Sequence, residues 1–262
     1  ISKKIVAISE NNLIDDPLRI LRGFRLMCEL NFGLEQETKK FLKINSFALN
    51  NVSPERIKME ILKIINSNWG KSVWPTFLEL QLLKEWQCEE KHLMPIVLQD
   101  DGLKNSSEES SIGKPLARLV CLLSDQGLER LNFSKNQIRR CRKLRFWVCK
   151  INKFGLEDLS EDERFQLHID LVEDLPSFIL FLESNYADEW LKRWKDISDP
   201  LFHPSSPLDG TFLQKALRIP PGPLLGGLMT YLAKEKAFGR IFTNEEACEV
   251  ARNWTLQNPP FL

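Results

Sequence analysis

The residues best suited to chemistry lie near the start of the chain, in Asp15-Asp16-Pro17-Leu18-Arg19-Ile20-Leu21-Arg22-Gly23-Phe24-Arg25. Asp16, Arg19 and Arg22 follow one another at steps of three, a spacing that turns side chains toward one side of an α-helix. A carboxylate that accepts hydrogen bonds would then sit beside a planar fork of donors. Adenine and cytosine each present an exocyclic amino group next to an accepting ring nitrogen, whereas guanine and uracil present a carbonyl beside an N–H. An acceptor and a donor so arranged bind A and C and repel G and U. The wrong base leaves buried polar groups unpaired, at about 1–3 kcal/mol for each. On spacing alone, the plainer reading is a helix-capping aspartate with an arginine one turn later in a local ion pair.

A second candidate chemistry is phosphate binding. Basic and acidic residues balance at 36 each, so any hold on nucleic acid must come from local segregation of charge. Residues 135–153 carry eight Lys or Arg and no acid, whereas residues 157–199 carry thirteen acids against four bases. In the basic segment Ile138, Cys141, Leu144, Val148 and Ile151 make an apolar helical stripe. Arg139, Arg140, Arg142, Lys143, Arg145 and Lys150 are the candidate contacts to an RNA backbone, and such contacts would be salt-sensitive and blind to sequence. An ordinary solvated helix face is the alternative, although such faces interleave both signs. Lys234, Lys236 and Arg240 are further candidates, near Gly222 and Gly226-Gly227, whose amides could face an anion or whose small size could serve helix packing.

Other site chemistries find little support. Cys28, Cys88, Cys121, Cys141, Cys149 and Cys248 are scattered without a C-x-x-C pair, which points to free thiols rather than a metal or disulfide framework. No metal or cofactor site is expected in this chain. The seven tryptophans fall on apolar helix faces and read as core. No apolar run approaches the roughly 20 residues of a membrane helix, so a cytoplasmic protein with no membrane partner is expected, and no feature specifies an oligomeric state.

The elements that must position these residues are helices. Asp16-Pro17 and Ser53-Pro54-Glu55 each place a capping side chain before a proline at the first helical position. Leu18, Leu21, Phe24 and Met27 or Cys28 then recur at helical spacing, as do Ile57, Ile61, Leu62 and Ile65. Ser134 with Gln137, Ser160 with Glu163 and Thr243 with Glu246 have capping-box spacing. Residues 99–113 read as an exposed Ser- and Gly-rich loop, and the three prolines in 198–209 as an extended connection. Lys4 to Ile8 is strand-like, with no partner strand evident downstream. The expected fold is all-α and elongated, in four segments: 1–14, a remnant of a missing N-terminal domain; 15–70, a first helical module; 71–200, a helical body; and 201–262, a helical tail.

Asp15 to Phe32 (DDPLRILRGFRLMCELNF), Leu34 to Thr38, and Val52 to Leu62 (VSPERIKMEIL) together resemble the neck of class II nucleotidyltransferases, the family of CCA-adding enzymes and bacterial poly(A) polymerases. There an E-D-x-x-R motif opens a helix and an S-x-E-R-I-x-x-E-L segment packs beside it. Asp15 stands where glutamate is more usual and keeps an acid in place. Ala117 to Phe133 is similar to the family's body, and Pro207 to Gly210 with Ile219 to Leu228 to its tail. The resemblance implies that Asp16 and Arg19, with Arg22 alongside, read the nucleobase of ATP or CTP, and that Arg56 and Glu60 brace the reading helix. A surface ion pair between Arg56 and Glu60 is the alternative. It further implies a tRNA or other RNA 3′ end as partner, and Mg2+ held by a catalytic head upstream, so that this chain alone should not catalyse. Poly(A) synthesis and a stand-alone RNA-binding module are the other outcomes. A metal-dependent phosphohydrolase is disfavoured, because Leu122-Leu123-Ser124-Asp125 has serine where a metal-binding histidine is required.

Overall fold

The computed structural model describes residues 5–6, 15–67, 73–87 and 108–258. These form thirteen α-helices, a short 3-10 helix and one pair of two-residue strands, which establishes the all-α class. The strands correct one expectation. Ile5–Val6 (β1) does have a partner: it pairs in parallel with Gly33–Leu34 (β2), Ile5 opposite Gly33 and Val6 opposite Leu34. Two residues are too few to leave a period-two pattern, so nothing in the sequence announces β2.

The described residues pack as two compact units, one running to Phe154 and including Glu173–Ala187, the other made of Gly155–Val172 and the chain from Asp188 onward. The cut falls inside the span 71–200.

The first unit begins with α1 (Arg19–Leu30), which buries Ile20, Leu21, Phe24, Met27 and Cys28, and ends at Asn31 in the left-handed conformation. Next come α2 (Gln36–Ile44), the 3-10 turn Ser46–Asn51, and α3 (Pro54–Asn66). The latter turns Ile57, Ile61, Ile64 and Ile65 inward and packs on α1. Then follow α4 (Val73–Leu80) and α5 (Glu108–Leu122). Helix α5 occupies residues 108–113, which composition assigned to a loop; the remainder of that expected loop, 99–107, lies outside the described residues. Gly113 in this helix is set by packing rather than by a turn. A Cβ there would lie 2.4 Å from the carbonyl oxygen of Pro176, in the short helix Leu175–Ile179 that packs against α5. The unit is completed by α6 (Asp125–Arg130), α7 (Lys135–Phe154), and α9 (Leu175–Ile179), with α8 (Glu161–Leu171) intervening in the chain.

In the second unit α8 and the later part of α10 (Ser184–Lys195) come together around His168, whose ring lies 5.1 Å from Trp190 and 4.2 Å from Phe202. Helices α11 (Gly210–Leu217), α12 (Pro223–Ala237) and α13 (Asn244–Gln257) enclose a core of Leu213, Leu225, Leu228, Leu232, Ala247 and Ala251. No helix among the described residues is long and apolar enough to cross a membrane.

Three helix starts follow the capping spacing. Ser160 with Glu163 and Thr243 with Glu246 form complete capping boxes, and Ser134 exchanges both bonds with Gln137 at 3.2 and 3.3 Å.

Candidate functional site

Proline at position 17 shapes the site. It has no N–H and a fixed φ, and the chain closes here in a tight turn, with Arg19 N–H donating to the Asp16 carbonyl and Ile20 N–H to the Pro17 carbonyl, both at 3.0 Å. Regular helix starts only at Arg19. Asp16 therefore sits ahead of α1 rather than on its face, and its Oδ1 accepts from the Leu18 amide at 3.3 Å. Helix α1 itself has no side-chain cap; Asp16 caps only the turn that precedes it.

Asp16 is nevertheless where cations converge. Arg56, on the first turn of α3, donates through Nη2 to both carboxylate oxygens at 3.2 and 3.3 Å. Arg22, on α1, brings Nη1 to 3.5 Å of Oδ2. Arg19 is half-buried on the same turn and has no hydrogen-bond or ion-pair partner among the described residues. Asp15 is exposed. Arg56 and Arg22 are themselves half exposed, so each pair with Asp16 stabilises the fold by no more than about 1 kcal/mol. They orient the carboxylate without locking it away from a ligand.

Beneath this surface lies a stiffer layer. Glu60 is only 4% exposed and lies on the apolar stripe of α3. It receives Arg25 Nε at 2.9 Å and Lys63 Nζ at 3.0 Å, with Arg22 Nε at 4.0 Å. Arg25 also reaches Glu29 at 3.0 Å. Burial pulls the Arg25 guanidinium down, but Glu29 and Glu60 together outweigh it and raise its pKa. The alternative, a surface pair between Arg56 and Glu60, is not found among the described residues: each reaches instead to the Asp16–Arg25 stretch, Arg56 to Asp16 and Glu60 to Arg22 and Arg25. Arg25 was not singled out from the sequence; its signal was an acid, Glu60, recurring with Ile57, Ile61 and Ile64 on a buried face, which requires a cation from across the interface.

The basic helix α7 is less available than its sequence suggests. The acids missing from residues 135–153 are supplied by neighbours. Arg140 holds Asp174 through Nε at 3.0 Å to each oxygen, and that bond leads the causes that raise its pKa. Arg142 donates to Asp125 at 2.9 Å and lies 3.5 Å from Glu129. Arg145 is buried, pairs with Asp125, and donates to the carbonyls of Leu123 at 2.6 Å and Val120 at 3.3 Å. Arg145 thus caps the end of α5 and is engaged by Asp125 and these two carbonyls. Arg139 is exposed, bonded to the neutral Asn136 at 2.9 Å. Lys143 is half-buried. Lys150 lies over the rings of Phe146 and Trp147, and Lys153 over Phe154. In the second unit Lys234 pairs with Asp162, while Arg240 is held by Glu235 at 2.7 Å and Glu161 at 3.0 Å. Lys236 has no partner among the described residues. Of the glycines, Gly226 has open space where a Cβ would stand, and Gly227 faces the Trp254 ring at 3.7 Å.

The thiols of Cys28 and Cys141 are buried, and burial pushes each up to about 12, so neither is a nucleophile at neutral pH. No cluster of His, Cys, Asp and Glu fit for a metal occurs among the described residues.

Comparison with known proteins fits this arrangement. The family model described as "Probable RNA and SrmB- binding site of polymerase A" matches residues 31–87, the stretch that contains α2, α3 and α4. A CC-adding tRNA nucleotidyltransferase of Synechocystis is 25% identical over 92% of this chain, and a CCA-adding enzyme of Ligilactobacillus salivarius 24% identical over 93%. The chain spans 64% and 60% of the lengths of these two relatives. Among solved structures, the Bacillus stearothermophilus CCA-adding enzyme in complex with CTP aligns over 98% of this chain and 68% of its own, with a TM-score of 0.63 at 17% identity. The Thermotoga maritima CCA-adding enzyme complexed with tRNA aligns over 96% and 64%, with a TM-score of 0.61 at 16% identity. At that identity these structures establish the shared fold. In sequence the chain is similar to CCA- and CC-adding enzymes over most of its length, and over residues 31–87 to an RNA-binding segment of polymerase A.

Proposed function

We propose that this chain supplies nucleotide selection and RNA binding to a tRNA nucleotidyltransferase that adds CCA, or part of it, to tRNA 3′ ends from CTP and ATP. The observation that carries the reading is Arg19: a half-buried guanidinium with no partner among the described residues, one turn from a carboxylate that two other arginines orient. In this reading Arg19 donates to the ring nitrogen acceptor of adenine or cytosine and Asp16 accepts from the exocyclic amino group. Arg56 and Arg22 hold the Asp16 carboxylate aimed, and Glu60 anchors Arg22 and Arg25 from below. In nucleotidyl transfer the RNA 3′ hydroxyl attacks the α-phosphate, the new phosphodiester forms and pyrophosphate leaves. Mg2+ bound by carboxylates of a catalytic head would stabilise that exchange, and Asp16, Arg19, Arg22, Arg56 and Glu60 take no part in it. We therefore expect the chain by itself to bind and select but not to catalyse.

The test is nucleotide binding in protein that carries a catalytic head, comparing CTP and ATP with GTP and UTP, with and without Asp16→Ala and Arg19→Ala. Loss of preference in both variants, with the fold retained, supports the pair as the reader; unchanged preference reduces it to a helix cap. A second reading, poly(A) synthesis, is favoured by the family model's reference to polymerase A. Product length separates it: a tract of many adenylates from ATP alone identifies a polymerase, and addition that stops within three nucleotides identifies a tRNA-terminus enzyme.

A further inference from the structure

Helix α7 carries a groove that the roles above leave unassigned. It has a volume of about 460 Å³ and is lined by Asp125, Arg142, Arg145, Phe146, Cys149, Lys150, Lys153 and Phe154. Its two phenylalanines are unusual for a basic helix, because Phe146 is 54% and Phe154 52% exposed. Phe146, Lys150, Lys153 and Phe154 are spaced i, i+4, i+7 and i+8 and so form one stripe, with the rings about 12 Å apart along the axis. Lys150 Nζ stands 5.7 Å from the Phe146 centroid and Lys153 Nζ 4.8 Å from that of Phe154.

We infer that this groove is a base-stacking site for unpaired nucleotides of RNA. A single strand offers flat π faces to aromatic rings and phosphates to ammonium groups, at a spacing that a helical stripe can follow. Four cations against one carboxylate line the groove, and although Arg142 and Arg145 are tied to Asp125, the two lysines lie beside the rings. A second copy of the chain is the less suitable occupant, since a two-fold contact would bring like-charged stripes together. A base paired within a duplex is unsuitable too, because its faces are already stacked. The site rests on the RNA partner proposed above but not on the Asp16–Arg19 reading.

The experiment measures affinity of the whole chain, without nucleotide, for a labelled 12-nucleotide oligo(A) and for a blunt, fully paired RNA duplex of the same length. A 2-aminopurine within the oligonucleotide reports stacking. The single strand binds more tightly than the duplex and changes the 2-aminopurine emission. Phe146→Ala and Phe154→Ala each weaken single-strand binding by roughly tenfold and abolish the emission change, while Phe146→Trp retains both. Equal affinity for the two RNAs, or alanine variants that bind the single strand as the parent does, would overturn the assignment. So would a concentration-dependent dimer, seen by sedimentation, that Phe146→Ala disperses, because a second copy would then fill the groove. Nucleotide preference is read on nucleotides without RNA, so the two readings fail separately.

Discussion

At the scale of single residues, burial separates the two halves of the candidate site. Glu60 is 4% exposed and holds three cations, whereas Arg56 is 50% exposed at its side chain. Glu60→Ala leaves Arg25 without its inner partner and is expected to lower stability by about 3 kcal/mol. Arg56→Ala should cost less than about 1 kcal/mol yet blunt the preference for CTP and ATP by releasing Asp16; urea midpoints and nucleotide binding on the two variants test the contrast. His168 sets a pH dependence of its own. Burial, with Arg193 adding to it, lowers its pKa from 6.5 to about 3, against an opposing pull from Asp199. The unfolded chain therefore binds the extra proton between those values. Stability from this group is full above pH 6.5 and falls toward pH 3, by up to about 1.4 kcal/mol for each pH unit. In parallel urea melts at pH 7.5, 5.5 and 4.5, His168→Phe should lose less stability on acidification than the parent; equal losses would mean that His168 contributes nothing to the slope.

At the scale of elements, close approach matters more than propensity. Adding a methyl at Gly113 puts it 2.4 Å from the Pro176 carbonyl oxygen, so Gly113→Ala must push α5 from α9 and is expected to cost about 1–3 kcal/mol, read as a drop in denaturation midpoint. The same glycine shows why the sequence misled at 108–113: it looks like loop punctuation, but its use is defined by a neighbour 63 residues away. Where signals are local, reading was sound. Ser134, Ser160 and Thr243 announce helix starts because both partners of each cap lie within four residues. The Asp16-Pro17 signal was legible as a cap, but a sequence spacing cannot show that the turn it closes is tight and that α1 begins at Arg19. Arg25 and the acids facing α7 were missed for one reason. Asp125, Asp174 and Glu60 meet their cations across helix interfaces, which no local pattern records.

For the whole molecule, the balance of 36 basic and 36 acidic residues conceals less segregation than the linear sequence implies. Arg140, Arg142 and Arg145 are neutralised within the first unit, so three of the eight cations of α7 already face acids on neighbouring helices. The contribution of α7 to the salt dependence of binding should accordingly be shallower than the slope of about −6 to −7 in log K against log salt that all eight cations would give. Lys153→Gln should flatten it by roughly 0.7–0.9, and Arg142→Gln should leave it nearly unchanged. A titration series at several salt concentrations measures this, and a slope near −7 would mean that the paired arginines open to meet the RNA. The central claim concerns the other end of the first unit, where Arg19 and Asp16 would choose the base. Its most direct test is binding of CTP, ATP, GTP and UTP to head-bearing protein and to its Arg19→Ala variant. If Arg19 reads the base, the parent prefers CTP and ATP and the variant, still folded, binds all four alike; a variant that discriminates as the parent does would contradict that role.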